Sequence, residues 1–200
     1  MIFKLTFLFI RGLIRLLNGP TEVIGRENLP TDTGYTVVAP HHSWLDPVLV
    51  ALAIQPQPVI FMAKKELFRP AFFASYIKKL GAFPVDRQNP GPSAIKIPVQ
   101  AIKQDKKALI IFPTGTRYAS EIKSGAATIA RLSQSPVVPI AYNGPLTLLD
   151  ALKRKKMQVV IGEPFYIQSK EDVKDFSNRL NAIFQTIDKV APITTDSSEL

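Results

Sequence analysis

Strands and helices alternate along this chain, which predicts an α/β fold with a sheet covered by helices. Three observations lead there. Short apolar runs of strand type recur between longer stretches with helical periodicity. Seventeen prolines and ten glycines, spread along the sequence, break it into many short elements. The chain has 200 residues, 46% of them hydrophobic, enough for one domain with a buried core.

The first element is "MIFKLTFLFIRGLIRLLNG". Its longest uncharged run, Leu5–Ile10, is six residues, against roughly 20 for a membrane-spanning helix. On a helix at about 100° per residue, Lys4, Arg11, Arg15 and Asn18 fall within roughly 60° of one another. The rest is mostly Leu, Ile and Phe. A narrow cationic stripe on a broad apolar helix is the pattern of a segment lying in the membrane interface. Two other readings are open: a helix packed on the protein's own core, and a signal peptide. Against the signal peptide, no small-residue cleavage site follows and Arg11 interrupts the apolar region.

The remaining elements follow in order. "GYTVVAP" (Gly34–Pro40) is a strand ended by proline, and it delivers the chain to His41. "WLDPVLVALAI" is a helix with Asp46-Pro47 as cap and first turn. "PVIFMAK" (Pro58–Lys64) is a buried strand. "PAFFASYIKKLG" is a helix, with Pro70 at its start, Lys78 and Lys79 near its end and Gly81 as its stop. "AFPV" (Ala82–Val85) is a short strand. "SAIKIPVQAIKQDK" is a helix in which Pro98 marks a kink or restart. "KALIIFP" is a strand, "GAATIARLSQ" a helix, and "PVVPIAY" and "MQVVIGEPF" are strands. "SKEDVKDFSNRLNAIFQTIDKV" is an amphipathic helix, and Ser169 with Asp172 suits an N-terminal capping box. The organisation expected is an amphipathic segment over 1–19, one domain over 20–191 and a frayed tail over 192–200.

Composition narrows the function classes. With no cysteine, disulfides, thiolate nucleophiles and Cys-based metal sites are excluded. A net charge of +9 favours acidic partners: nucleic acid, an anionic membrane surface or phosphorylated substrates. Nucleic acid is not expected as a partner. The basic residues are scattered apart from "KRKKMQ" (Lys153–Gln158), and neither an aromatic RNA-binding strand nor a zinc spacing is present.

In open α/β sheets, ligands bind outside the carboxyl ends of strands. Three chemistry-bearing stretches fall there. "PHHSWLDP" (Pro40–Pro47) holds both histidines of the chain, its only tryptophan, and Asp46. A carboxylate five residues after His41 can fix the imidazole tautomer if the chain turns between them, making His41 a general base for a hydroxyl. A solvated or structural histidine pair is the equal alternative for this stretch alone, and a metal site of His41, His42 and Asp46 the weaker one, since adjacent histidines rarely point the same way. Ser43 as a nucleophile lacks the G-x-S-x-G elbow. "FPTGTR" (Phe112–Arg117) offers backbone donors, hydroxyls and a fixed guanidinium that could cradle a phosphate, without the Lys-Ser/Thr ending of a P-loop, though a plain turn with an exposed Arg is the simpler reading of this stretch alone. "PVDR" (Pro84–Arg87) is a third strand end, where a surface salt bridge is the plainer reading.

Taken in order, these stretches resemble the lysophosphatidic acid acyltransferase family (1-acylglycerol-3-phosphate O-acyltransferases), within the glycerolipid acyltransferases. The family's His-x4-Asp is matched by His41 and Asp46. Its second motif is matched by "GAFPVDR" (Gly81–Arg87), its third by "FPTGTR" and its fourth by "PVVPIAY" (Pro136–Tyr142). "AKKEL" (Ala63–Leu67) and "KSGAATIA" (Lys123–Ala130) resemble segments between these blocks, so the likeness spans roughly residues 20–165. One position departs: Thr114 stands where the family usually has Glu.

The resemblance implies a single glycerolipid-acyltransferase domain with a mixed sheet, and transfer of an acyl chain from acyl-CoA or acyl carrier protein to lysophosphatidate, giving phosphatidic acid. It implies His41 as base, oriented by Asp46, with no metal and no cofactor. Lys64, Arg87 and Arg117 are the phosphate-binding candidates, with Thr114, Gly115 and Thr116 beside them. Other acceptors, such as glycerol-3-phosphate or another lysophospholipid, and a non-catalytic lipid-binding protein are the alternatives. The N-terminal helix then serves to hold the enzyme on an anionic membrane surface, monotopically, on the cytoplasmic face of the plasma membrane.

Overall fold

The computed structural model describes residues 2–41, 46–86, 89–113, 124–143 and 157–190. The elements run α1 (Ile2–Asn18), β1 (Glu22–Ile24), β2 (Tyr35–Val38), α2 (Asp46–Ala53), β3 (Val59–Lys64), α3 (Ala71–Lys79), β4 (Ala82–Val85), α4 (Ser93–Lys103), β5 (Ala108–Ile111), α5 (Gly125–Ser133), β6 (Val137–Asn143), β7 (Gln158–Ile161) and α6 (Lys170–Val190). Short 3-10 turns occupy Arg26–Asn28 and Lys65–Phe68. The tail expected over 192–200 lies outside the described residues.

The strands form one sheet in the order β1-β7-β6-β2-β5-β3-β4. From β6 to β4 every pairing is parallel. β7 runs antiparallel to β6, and β1 pairs parallel with β7, so the sheet is mixed. β2 lies between β6 and β5, and all four of its residues are buried. That is what a strand covered on both faces requires, and why it reads as an apolar run rather than an alternation.

Side chains alternate between two cores, as the pleat dictates. Tyr35 and Val37 of β2, Ala108 and Ile110 of β5, and Ile140 of β6 join Leu49, Val50 and Ala53 of α2 and Phe7 of α1 on one face. Val38 and Val137 meet Ala126, Ala127 and Ala130 of α5 and Phe176 and Leu180 of α6 on the other. Leu109 joins Ala101 and Ile102 of α4 on that second face.

Local chemistry explains the element ends. Ser169 and Asp172 form the capping box read from the sequence. Asp172 N–H donates to Ser169 Oγ (3.0 Å), and Ser169 N–H donates to an Asp172 carboxylate oxygen (2.9 Å). Gly81 ends α3 at φ +98°, and a Cβ there would collide with the carbonyl oxygen of Val59. α4 continues through Pro98 rather than restarting there. The proline is buried in the helix with Ala94, Ala101 and Ile102, and this packing holds the turn that lacks a backbone donor. β1 and the two 3-10 turns carry no pattern long enough to read from sequence.

The N-terminal segment forms a helix, α1 (Ile2–Asn18). One side packs: Phe7 is buried and Ile14 touches the same core. The cationic stripe contributes to this docking, since the Arg11 guanidinium donates to Gln55 Oε1 (3.0 Å) and to the Leu52 carbonyl (3.4 Å) at the end of α2. Leu5, Leu8, Phe9, Leu13 and Leu16 remain exposed on the rest of the helix. Among the described residues, no helix is long and apolar enough to cross a membrane.

Candidate active site

β2 ends at Val38, and the Ala39 amide still donates to the Ile111 carbonyl of β5 (3.3 Å). Two residues later comes His41, just beyond the carboxyl end of the sheet's interior. α2 opens with Asp46 and runs back along the sheet. His41 Nδ1 lies 3.1 Å from Asp46 Oδ2, so the five-residue spacing does bring the pair together.

The two partners sit in different surroundings. The Asp46 side chain is 2% exposed and that of His41 30%. A buried carboxylate needs compensation. Asp46 has the His41 contact and the positive end of the α2 dipole, whose first turn it occupies. The tautomer that satisfies the contact carries its proton on Nδ1. The Nε2 lone pair, on the far side of the ring, is then free to act as a base. The imidazolium formed when Nε2 takes a proton is held by the same carboxylate.

Phe112 packs its ring against the imidazole, with centroids 4.7 Å apart and planes 34° from each other. It restricts ring rotation and shields one side from water. Sequence reasoning used "FPTGTR" as a phosphate cradle and did not assign this role to its first residue. Local spacing carries no signal for it, because Phe112 reaches His41 only through the pairing of β5 beside β2. The third sequence motif therefore starts at the dyad.

Lys64 is the last residue of β3 and is exposed. β3 and β2 flank β5 on opposite sides, which separates them by about 10 Å. β5 pairs Ile110 with Phe61 and with Val37, so Lys64 and His41 project from the same end of the sheet. Asp86 follows β4 at that end. Its carboxylate is bonded by the neighbouring lysine, Lys65, whose ammonium is held above its ordinary pKa by that bond and charge. Asp86 is thus paired with Lys65, while the Asp86–Arg87 salt bridge expected at "PVDR" falls outside the described residues. Arg87, Thr114, Gly115, Thr116 and Arg117 lie outside the described residues, as do His42 and Ser43. Among the described residues, no three His, Asp or Glu side chains come together as a metal site.

What the described arrangement can do is accept a proton from a hydroxyl at Nε2 and return it to a leaving group. The comparisons with known proteins give the family. The model of a family described as Acyltransferase matches residues 20–143. A 1-acyl-sn-glycerol-3-phosphate acyltransferase of Streptococcus pneumoniae is 38% identical over 196 residues, 93% of this chain and 74% of that protein. One of Bacillus subtilis is 40% identical over 177 residues, 84% of this chain and 88% of that protein. The crystal structure of the 1-acyl-sn-glycerophosphate acyltransferase of Thermotoga maritima superposes with a TM-score of 0.65 at 22% identity, covering 94% of this chain and 82% of that one. With this fold, this dyad and relatives of this closeness, the chain belongs to the acyltransferase family, alongside the 1-acyl-sn-glycerol-3-phosphate acyltransferases.

Proposed function

We propose that the protein transfers an acyl chain from an acyl thioester to the free hydroxyl of 1-acyl-glycerol-3-phosphate, producing phosphatidic acid. The observation that carries this reading is the 3.1 Å contact between His41 Nδ1 and Asp46 Oδ2, in a chain of this family. Nε2 of His41 takes the hydroxyl proton as the oxygen attacks the thioester carbonyl. The tetrahedral intermediate collapses, the carbon–sulfur bond breaks, and the imidazolium protonates the departing thiolate. No acyl-enzyme forms along this route.

Lys64, Arg87 and Arg117 are the cations for the acceptor phosphate, with the Thr114–Thr116 turn supplying hydroxyl and backbone donors. Thr114 gives the acceptor a neutral partner in place of a carboxylate, which makes acceptor choice the property to measure. The donor is acyl-CoA or acyl carrier protein, and the positive chain suits both, since each carries phosphate. The outer face of α1 lies in an anionic leaflet, on the cytoplasmic side where such donors are found. Its exposed Leu and Phe side chains, with no carboxylate in the helix, support this reading.

The test is acyl transfer by purified protein in lipid, with lysophosphatidate and either donor. Phosphatidic acid is the expected product. Transfer only to glycerol-3-phosphate or to another lysophospholipid would change the acceptor, and no transfer by folded, vesicle-bound protein would overturn the enzyme reading. Deleting residues 1–18 should weaken binding to anionic vesicles; undiminished binding would refute the α1 anchor.

A further inference from the structure

A second apolar face lies beside that of α1. Tyr76 of α3 donates its hydroxyl to Thr6 Oγ1 of α1 at 3.4 Å, so the two helices are neighbours. α3 turns Ala74 and Ile77 inward. At about 100° per residue, Phe72 lies roughly 140–160° from both, on the outer side. It is 90% exposed, more than any other large apolar side chain among the described residues. Phe73 and Leu67 are exposed on either side of it. The fold makes little use of these three side chains, and together with Phe9, Leu13 and Leu16 they exceed what scattered exposure explains.

The charges say what covers this face. From Leu67 to Val85 the chain carries Arg69, Lys78 and Lys79 and no carboxylate, and from Met1 to Thr21 it carries Lys4, Arg11 and Arg15 and no carboxylate. Apolar side chains rimmed mainly by cations, with Glu66 as the exposed carboxylate beside Leu67 and Asp86 paired with Lys65, complement an anionic lipid leaflet. The topology adds a purpose. α3 starts beyond the carboxyl end of β3, the end of the sheet at which His41 and Phe112 sit. We propose that α3 is a second membrane-insertion element: Phe72, with Phe73 and Leu67, enters the same anionic leaflet as the outer face of α1. Two insertion points fix the orientation of the domain, where one helix would let it swing, and hold the dyad end at the surface from which a lipid acceptor arrives. The inference rests on the membrane-surface reading of α1, yet the two can fail separately.

The cysteine-free chain permits the test. Phe72→Cys, Phe9→Cys and Lys103→Cys, the last on α4 across the sheet, each take one environment-sensitive fluorophore. Vesicles of phosphatidylcholine with phosphatidylglycerol should shift the Phe72 and Phe9 probes to the blue and shield them from aqueous iodide, leaving the Lys103 probe unchanged. The unlabelled pair Phe72→Ser/Phe73→Ser should weaken vesicle partitioning on the order of tenfold, with turnover of detergent-dispersed lysophosphatidate retained. A Phe9 probe that inserts while Phe72 stays in water overturns the inference and leaves the α1 reading. The reverse result supports α3 insertion and removes the α1 anchor. If neither inserts, both fall. A Phe72 shift that depends on protein concentration without vesicles assigns the face to a second copy of the chain, and also overturns the inference.

Discussion

Two aspartates stand in the first turns of their helices, Asp46 in α2 and Asp172 in α6, and they do different things. Asp172 is spent on the backbone. It accepts from the amides of Gln168 (2.8 Å) and Ser169 (2.9 Å), and these bonds hold its carboxyl below the usual carboxylate range. Asp46 is buried and its carboxylate faces the imidazole of His41. The same residue type in the first turn of a helix, third in α6 and first in α2, caps the backbone in one case and faces a base in the other. The difference lies in what the preceding chain brings: at α6 a serine and free amides, at α2 a histidine from the end of β2. A helix start therefore becomes a reactive site only when a strand end delivers a base to it.

Substitutions separate the two aspartates. His41→Ala should leave the fold intact and reduce turnover on the order of 10³–10⁴-fold, read in the acyl-transfer assay with circular dichroism as the control. Asp46→Asn keeps the shape but withdraws the acceptor of the Nδ1 proton, and turnover should fall roughly 10²–10³-fold. Phe112→Ala frees the imidazole to rotate and should reduce turnover about tenfold with little change in the acceptor KM; Phe112→Leu should retain most of the activity. Asp172→Ala should leave turnover alone and lower the Tm by roughly 2–4 °C. That last difference has a pH signature. A depressed native pKa stabilises the fold above the unfolded carboxylate value, near pH 4, and the contribution is lost as pH falls through the native value. The Tm gap between Asp172→Ala and the parent should therefore narrow below about pH 4. If Asp172→Ala impaired turnover as Asp46→Asn does, the distinction between the two aspartates would collapse.

Much of this was legible in the sequence, and the physical reason differs by element. β2, β5 and β6 are buried almost throughout, and β3 at Val59 and Ile60, so their residues run apolar and were found with boundaries close to those observed. Ser169 and Asp172 announced their cap because the capping box is a local bond between residues three apart. His41 and Asp46 could be paired because a short turn is enough to join them. β1 was illegible: Glu22–Ile24 is three residues long, and its partner, β7, lies far along the chain. The ring of Phe112 against His41 depends on two strands pairing across more than seventy residues, which local spacing does not encode. α1 showed why two open readings need not compete. Phe7 and Ile14 make it a core helix on one side, and Phe9 and Leu16 leave it apolar on the other.

A double-mutant cycle on turnover shows whether His41 and Asp46 act as one unit. If Asp46 works only through His41, His41→Ala/Asp46→Asn should be no slower than His41→Ala alone. Losses that multiply, so that the double variant is slower than either single by the full factor of the other, would show two independent contributions and contradict the account.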